Sequence, residues 1–263
     1  MSRFFQIKSF LSYWLHVVDE HSIHSPFFFD FYQKVIDVKP DEKSFGEIET
    51  LRRSVLHNTT AVQVEQFGAG SKVIQSTETT IGNIAATSAT PARYAQLYHR
   101  IIEYTQARYI VELGTSVGLT TLYLSANPEV KVFTFEGSEA LHSIALTHFE
   151  GFEKTNVIQV KGNIDRTLPD FLQGTAKLHF VLMDANHRYE PTLRYFNLIL
   201  RRLSEKSVVV VDDIHWSKEM ARAWQDLRHN KLVYGSIDLY RCGILFFDPA
   251  LNRQHFVLSL PSK

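Results

Sequence analysis

Two carboxylates bracket a glycine turn near the middle of this chain. Glu112 lies two residues before Gly114, and Glu136 lies 18 positions after Gly118. Between the acids the chain reads Gly114-Thr-Ser-Val-Gly118. A glycine turn at the end of a strand lets backbone amides approach a ligand, and an acid ending the next strand accepts hydrogen bonds from ribose hydroxyls. Nicotinamide cofactors use G-x-G-x-x-G, and two of those three glycines are missing here. An acid as close as Glu112 is also wrong for a pyrophosphate. It suits a cationic or amine-bearing ligand.

A second turn, Phe67-Gly-Ala-Gly-Ser71, looks similar. No strand–acid unit follows it before Arg108, so it is not the nucleotide loop. We expect it either to fold over the cofactor or acceptor pocket as a lid or to be an ordinary tight turn.

Gly114-Thr-Ser-Val-Gly118 is also a G-x-S-x-G pentapeptide, the form of a hydrolase nucleophile elbow. Ser116, then Asp212 or Asp213, then His255 fits the chain order of that chemistry, with Gly68-Ala-Gly70 as an oxyanion loop. Context weighs against this serine hydrolase alternative. Only one doubtful strand precedes the turn, and Glu112 would have no task in a buried strand. A cofactor-binding protein without catalysis, or one acting on a protein partner, is a third class.

The elements that position these residues follow from patterning. From Arg108 onward, apolar runs alternate with helical patterns. The runs are 109–113, 131–135, 157–160, 178–183 and 207–211, which is the alternation of a mostly parallel sheet covered on both faces by helices. Val208-Val-Val-Val211 is continuously apolar, as a strand buried on both faces should be. Runs at 232–237, 243–247 and 255–260 are joined by short turns and predict antiparallel strands. The fold class is therefore α/β: a Rossmann-like, doubly wound, mostly parallel seven-stranded sheet with antiparallel C-terminal strands. Upstream, residues 1–85 read as a mainly helical extension, with helices over 27–36 and 45–56 and a possible strand over 62–67. Pro91 starts a convincing helix over 92–104. The domain proper spans 86–263.

Composition narrows the classes. The chain has 263 residues, is 44% hydrophobic, and carries 28 basic and 28 acidic side chains. That length supports a real core, and the absence of net charge gives no case for a nucleic-acid partner. One cysteine, Cys242, excludes an internal disulfide and fits a reducing, cytoplasmic compartment. The N-terminal segment is apolar on one helical face, at Phe4, Phe5, Leu11, Trp14, Leu15 and Val18. It is too interrupted for a membrane span, so a packing or homodimer-contact helix is expected and a membrane is not.

Taken in order, Val111-Glu-Leu-Gly-Thr-Ser-Val-Gly118, Phe135-Glu136, Gly162-Asn163, Met183-Asp-Ala-Asn-His187 and Val211-Asp-Asp213 resemble the class I S-adenosylmethionine-dependent methyltransferases. Within them the chain is similar to the catechol and caffeoyl-CoA O-methyltransferase group. Thr90-Pro-Ala-Arg-Tyr-Ala-Gln-Leu97 resembles that group's helix before the first strand. The resemblance covers roughly residues 87–247. It implies methylation of a hydroxyl on a small-molecule acceptor. Glu112, Gly114, Ser116 and Gly118 would hold the methionine portion of S-adenosyl-L-methionine. Glu136 would bind its ribose, with Gly137 beside it, and Gly162 and Asn163 would lie near the adenine. Asp184 would contribute to the cofactor site as well. Serine at 116 and asparagine at 163 depart mildly from the group's usual residues.

Metal-dependent members of that group place one Asp after the fourth strand and an Asp-Asn pair after the fifth. The corresponding residues here are Asp184, Asp212 and Asp213, so Mg²⁺ is a possible ligand of these three, although Asp replaces Asn. His187 stands where those enzymes carry a lysine base and, with Asp184, is the implied catalytic pair. His215 is a second candidate base. Helix capping or hydrogen bonding by these acids is the plainer alternative.

Overall fold

The computed structural model describes residues 3–66 and 75–261. In chain order its helices and strands are α1 (Arg3–His16), α2 (Pro26–Phe31), α3 (Gly46–Leu56), β1 (Ala61–Gln66), β2 (Gln75–Thr80), α4 (Ile81–Ser88), α5 (Ala92–Thr105), β3 (Tyr109–Leu113), α6 (Leu119–Leu124), β4 (Lys131–Glu136), α7 (Glu139–Gly151), β5 (Val157–Lys161), α8 (Ile164–Gly174), β6 (Phe180–Met183), α9 (Tyr189–Ile199), β7 (Val208–Val211), α10 (Lys218–Arg228), β8 (Gly235–Asp238), β9 (Gly243–Phe246) and β10 (Gln254–Val257). The chain divides into two compact units, Pro40–Gly174 and Met1–Lys39 with Thr175–Lys263. Among the described residues no helix is long and apolar enough to cross a membrane.

The Pro40–Gly174 unit is built on three parallel strands with β4 in the middle. Tyr109 pairs with Lys131 and Leu113 with Phe135, so Glu112 and Thr134 lie opposite one another. The α5 helix forms as its periodicity predicts. Tyr94, Leu97, Tyr98, Ile101 and Ile102 make one buried stripe, and the chain turns out of the helix at left-handed Gln106. A second cluster, Phe45, Ile48, Ala95, Leu122, Tyr123, Ala145 and Phe149, fixes α3 against α5, α6 and α7. Tyr123 donates to Glu49, whose carboxylate also receives Arg52 at 3.0 Å.

The β1–β2 hairpin in this unit pairs Ala61 with Thr80 through Gln66 with Gln75. Sequence patterning foresaw β1 but not β2. The run Gln-Ser-Thr-Glu-Thr-Thr has no apolar alternation, and its strand character rests on β-branched threonines and on a partner strand. The Phe67–Ser71 turn expected as a lid lies outside the described residues.

In the other unit the strand order is β10-β8-β9-β7-β6. β6 and β7 are parallel, and β9 runs antiparallel to both β7 and β8. β10 departs from expectation, since it pairs parallel to β8. With it the described residues hold eight strands besides the hairpin, one for each apolar run from Tyr109 onward, against the seven of the expected fold class. All four valines of β7 are buried. Gly243 lies opposite both Val211 and Asp238, so the carboxyl ends of β7 and β8 stand at one edge of this unit. Gly243 must be glycine because a Cβ there would sit 2.4 Å from the Trp224 ring. The fold is therefore a mostly parallel α/β sheet architecture with a helical N-terminal region, as the patterning implied.

Candidate functional site

Glu112 is fully buried in β3 between apolar neighbours. A carboxylate in that position is costly unless its oxygens are satisfied. Thr121 and Thr134 donate to the same oxygen, Oε2, at 2.5 and 2.6 Å. Thr115 and Thr134 share a further hydroxyl contact of 2.5 Å. Oε1 is buried without a hydrogen-bond partner. Burial pushes the Glu112 carboxyl up to about 7, against the two threonine hydroxyls, with nearby Glu136 pushing the same way. The result is an acid that lacks one donor, which an ammonium group would supply.

The turn that follows is tightly specified. Gly114, Ser116 and Gly118 all have positive φ, at 103°, 50° and 78°. Serine adopts the left-handed region at a cost of roughly 1–2 kcal/mol, and such residues concentrate where a ligand is handled. A Cβ on Gly118 would lie 2.8 Å from the Phe149 ring, so glycine is required there on two grounds. The Gly114 and Thr115 amides both donate to the Phe135 carbonyl at 3.1 Å. The Ser116 amide donates to Glu136 Oε2 at 2.8 Å, and the Ser138 amide to Oε1 at 2.9 Å. Burial pushes Glu136 up, while the amides of Ser138, Ser116 and Gly137 oppose it. The side chain of Ser116 meets Ser88 of α4 at 2.7 Å.

Gly162 donates to the Glu136 carbonyl at 2.8 Å and has φ 125°. Asn163 Oδ1 accepts the Asp165 amide at 2.9 Å, so this side chain opens α8 as a cap. Glu112, Gly114, Ser116, Gly118, Glu136, Gly137, Gly162 and Asn163 thus belong to one unit, around the carboxyl ends of β3, β4 and β5.

The remaining predicted residues belong to the other unit. Asp184 follows β6, and His187 Nε2 stands 3.5 Å from its Oδ1. Asn186 and His187 both have positive φ, 63° and 22°, marking a strained bend. Asp212 is fully buried after β7. Its oxygens face Arg241, with Nε 3.1 Å from Oδ1 and Nη2 3.1 Å from Oδ2, and Oδ1 also accepts the Asp213 amide at 2.9 Å. Arg241 Nη2 reaches Asp213 at 3.7 Å. Burial pushes Asp212 up, and the guanidinium opposes that.

Mg²⁺ does not fit this donor set. A divalent ion needs carboxylate oxygens directed at one point, and a guanidinium already occupies both oxygens of Asp212. Among the described residues no group of three His, Cys, Asp or Glu side chains is arranged to hold a metal ion. The structure does not bring the Asp184, Asp212 and Asp213 triad expected from the resemblance together as a metal-binding group among the described residues. Here Asp212 and Asp213 are charge-paired with Arg241.

His215 is held more firmly than His187. Its Nε2 lies 2.8 Å from Asp238 Oδ2, its Nδ1 lies 2.8 Å from Ser9 Oγ, and Tyr240 stacks on its ring at 12°. The hydrolase alternative finds no such support. Ser116 pairs with Ser88, and His255 pairs with Ser236 at 2.8 Å. Burial pushes His255 down to about 4, leaving it neutral.

Spacing had no means of finding Ser88, Arg241, Asp238 or Ser9, because each reaches its partner through tertiary packing. Arg241 and Asp212 are separated by 29 positions, Ser9 and His215 by 206. Thr121 and Thr134 were closer to view, since both sit on elements flanking the acid.

Comparison with known proteins bears on this arrangement. Residues 111–214 match a family described as a methyltransferase domain. No curated protein sequence matches the chain. Among solved structures, an O-methyltransferase from Streptomyces achromogenes involved in tomaymycin synthesis, in complex with S-adenosylmethionine, is 18% identical with a TM-score of 0.56, over 83% of this chain and 94% of that one. An S-adenosylhomocysteine-bound methyltransferase from Podospora anserina is 12% identical with a TM-score of 0.59, over 81% and 91%. An O-methyltransferase from Bacillus cereus in complex with S-adenosylhomocysteine is 15% identical with a TM-score of 0.56, over 82% and 96%. At such identities these likenesses establish the fold. Residues 111–214 of this chain thus match a methyltransferase domain, and the chain shares its fold with solved O-methyltransferases.

Proposed function

We propose that the protein transfers a methyl group from S-adenosyl-L-methionine to a hydroxyl of a small-molecule acceptor. The observation that carries this reading is the buried Glu112, whose Oε1 lacks a donor beside the positive-φ turn Gly114–Gly118. When bound, the cofactor supplies a sulfonium methyl group. Everything else falls to the chain. Glu112 takes the ammonium of the methionine portion, assisted by the Gly114–Gly118 turn. Glu136 accepts the ribose hydroxyls on the lone pairs left free by the Ser116 and Ser138 amides, with Gly137 alongside. Gly162 and Asn163 border the base.

In the other unit two histidines follow the strands β6 and β7. His187 with Asp184 is the pair implied by the resemblance, and 3.5 Å is a loose contact. His215 has the tighter acid partner, at 2.8 Å. No step is assigned to Mg²⁺, because Arg241 holds Asp212. The partition into a helical extension, 1–85, and a cofactor-binding domain, 86–263, belongs to the same proposal. So do a homodimer formed through α1 and a cytoplasmic setting, the latter resting on the single buried thiol of Cys242.

The test is thermal. At 100 times its dissociation constant S-adenosylhomocysteine should contribute about 2.7 kcal/mol, raising Tm by roughly 5 °C for a chain of this size. Glu136→Ala should abolish the shift. No shift in the wild type sinks the proposal.

A further inference from the structure

The unit formed by Met1–Lys39 and Thr175–Lys263 holds a small basic pocket at the end of β8 away from Asp238. The pocket lies where α10 ends and where β8 and β10 begin, and its volume is about 160 Å³. β8 and β10 run parallel with Gly235 opposite Gln254. The length of β8, about 10 Å, therefore separates the pocket from Asp238 and its partner His215. Such a volume holds roughly five waters and is well below the pockets that enclose drug-sized ligands. It has room for a tetrahedral oxyanion.

Four basic side chains line it. Arg228 and His229 come from the end of α10, and Arg253 and His255 come from the start of β10. No aspartate or glutamate is among the lining residues. Among the described residues none of the four contacts a carboxylate, and each is held instead by a neutral group. Arg228 Nε and Nη2 donate to Gln225 Oε1 at 2.8 and 2.6 Å. His229 Nδ1 lies 2.7 Å from the Gln225 carbonyl oxygen. Arg253 Nη2 donates to the Lys231 carbonyl at 2.7 Å, and its guanidinium lies over the Tyr234 ring, 4.9 Å from the centroid. His255 Nδ1 lies 2.8 Å from the hydroxyl of buried Ser236. These contacts steady the four heads. Among the described residues they leave Nη1 of both arginines and Nε2 of both histidines without a partner.

A helix C-terminus attracts cations through its dipole, which accounts for Arg228 and His229. It does not account for Arg253 and His255, which arrive on a different element. The electrostatics point the same way. Burial pushes the Arg228 guanidinium down, with Asp238 opposing. Burial, and after it the Arg228 charge, push His255 down to about 4. Positive charge here is partly withdrawn from water and lacks a counter-charge in contact, a state that a bound anion relieves.

We infer that this pocket binds a tetrahedral dianion, either inorganic phosphate or the head of a small phosphomonoester, between Arg228 and Arg253 with the two histidines beside it. Guanidinium forks match the paired oxygens of a phosphate. None of these residues belongs to the cofactor turn, and the inference does not rest on the methyltransferase reading.

Calorimetric titration of the full chain at pH 7, with ionic strength held constant in chloride, tests it. Phosphate and glycerol 2-phosphate are the probes, and acetate is the monoanionic control. At least one of the two phosphates should bind about tenfold more tightly than acetate. Tighter binding of phosphate assigns the free ion, and tighter binding of glycerol 2-phosphate assigns the ester. An Arg228→Gln, Arg253→Gln double variant should lose the preference over acetate. A Lys206→Gln, Lys218→Gln double variant removes the same charge from two exposed positions outside the pocket and should keep it. His229→Gln changes one exposed side chain and should weaken binding severalfold, a readout that stands even where the arginine variant fails to fold. Failure of both phosphates to bind, affinities equal to that of acetate, full binding in the arginine variant or in His229→Gln, or equal losses in the arginine and lysine variants each overturns the inference.

Discussion

Replacing Glu112 by glutamine tests the central feature of the cofactor site in the absence of any ligand. The carboxyl is pushed from its ordinary 4.5 up to about 7 by burial. Between those pH values the folded protein keeps a proton that the unfolded chain releases. The stability that Glu112 contributes is therefore fully present below pH 4.5, is lost as pH rises toward 7, and stays lost above it. A gap of about 2.5 at ~1.4 kcal/mol per pH unit comes to ~3 kcal/mol. Glutamine does not titrate, and its shape is nearly the same. Urea denaturation of both proteins at pH 4.5, 6 and 8 should show the difference between them changing by ~3 kcal/mol across the series, with the variant gaining on the wild type as pH rises. Glu136, also raised by burial, adds a slope of the same sign in both proteins, and because its charge helps raise Glu112 the difference between them belongs partly to the pair. Saturating S-adenosylhomocysteine should restore the wild type at pH 8 more than the variant, because only the carboxylate pairs with an ammonium. Parallel stability curves for the two proteins would refute the idea that Glu112 is held as a destabilised acid awaiting a cation.

Two further outcomes follow. Arg241→Met leaves Asp212 buried without its counter-charge and should cost ~3–5 kcal/mol in urea unfolding, and adding Asp212→Asn should recover most of that loss; a double variant as unstable as the single one would show that the guanidinium acts through packing instead. The outer face of α1 exposes Ile7, Leu11, Trp14 and Leu15, each by more than half of its surface (60%, 53%, 63% and 72%), so Leu11→Glu should weaken self-association by about 100-fold on sedimentation, from burial lost on both copies, whereas a wild type that stays monomeric at high concentration removes the homodimer.

What could be read in the chain divides by distance along it. The Glu112–Gly118–Glu136 unit was legible because strand, turn, helix and next strand are contiguous, so each residue's place follows from local periodicity. β7 was legible because four consecutive valines leave no other home than a doubly covered strand. β10 was harder. Its direction depends on which strand it pairs with, and the partner β8 lies across a turn and a 3₁₀ segment. The acids after β6 and β7 were visible, but their state was not. Whether Asp212 is available to a metal depends on Arg241, and no pattern in the intervening residues announces that pairing. The same holds for His215. Its chemistry depends on Ser9 and Asp238, which packing brings to it from opposite ends of the sequence.

The way α1 is anchored has a consequence for how the chain acquires its structure. Val18 donates to the Val257 carbonyl at 2.9 Å, and Tyr13 donates to Leu258 across 245 positions. The unit containing α1 is therefore discontinuous, while Pro40–Gly174 is a single uninterrupted stretch. During synthesis the continuous unit has all its strands on hand once Gly174 clears the ribosome, whereas α1 must wait for some 240 further residues before its partners exist. Throughout that interval an apolar helix lacks its partners, which makes α1 the segment on which chaperone dependence, and aggregation if synthesis stalls, should concentrate.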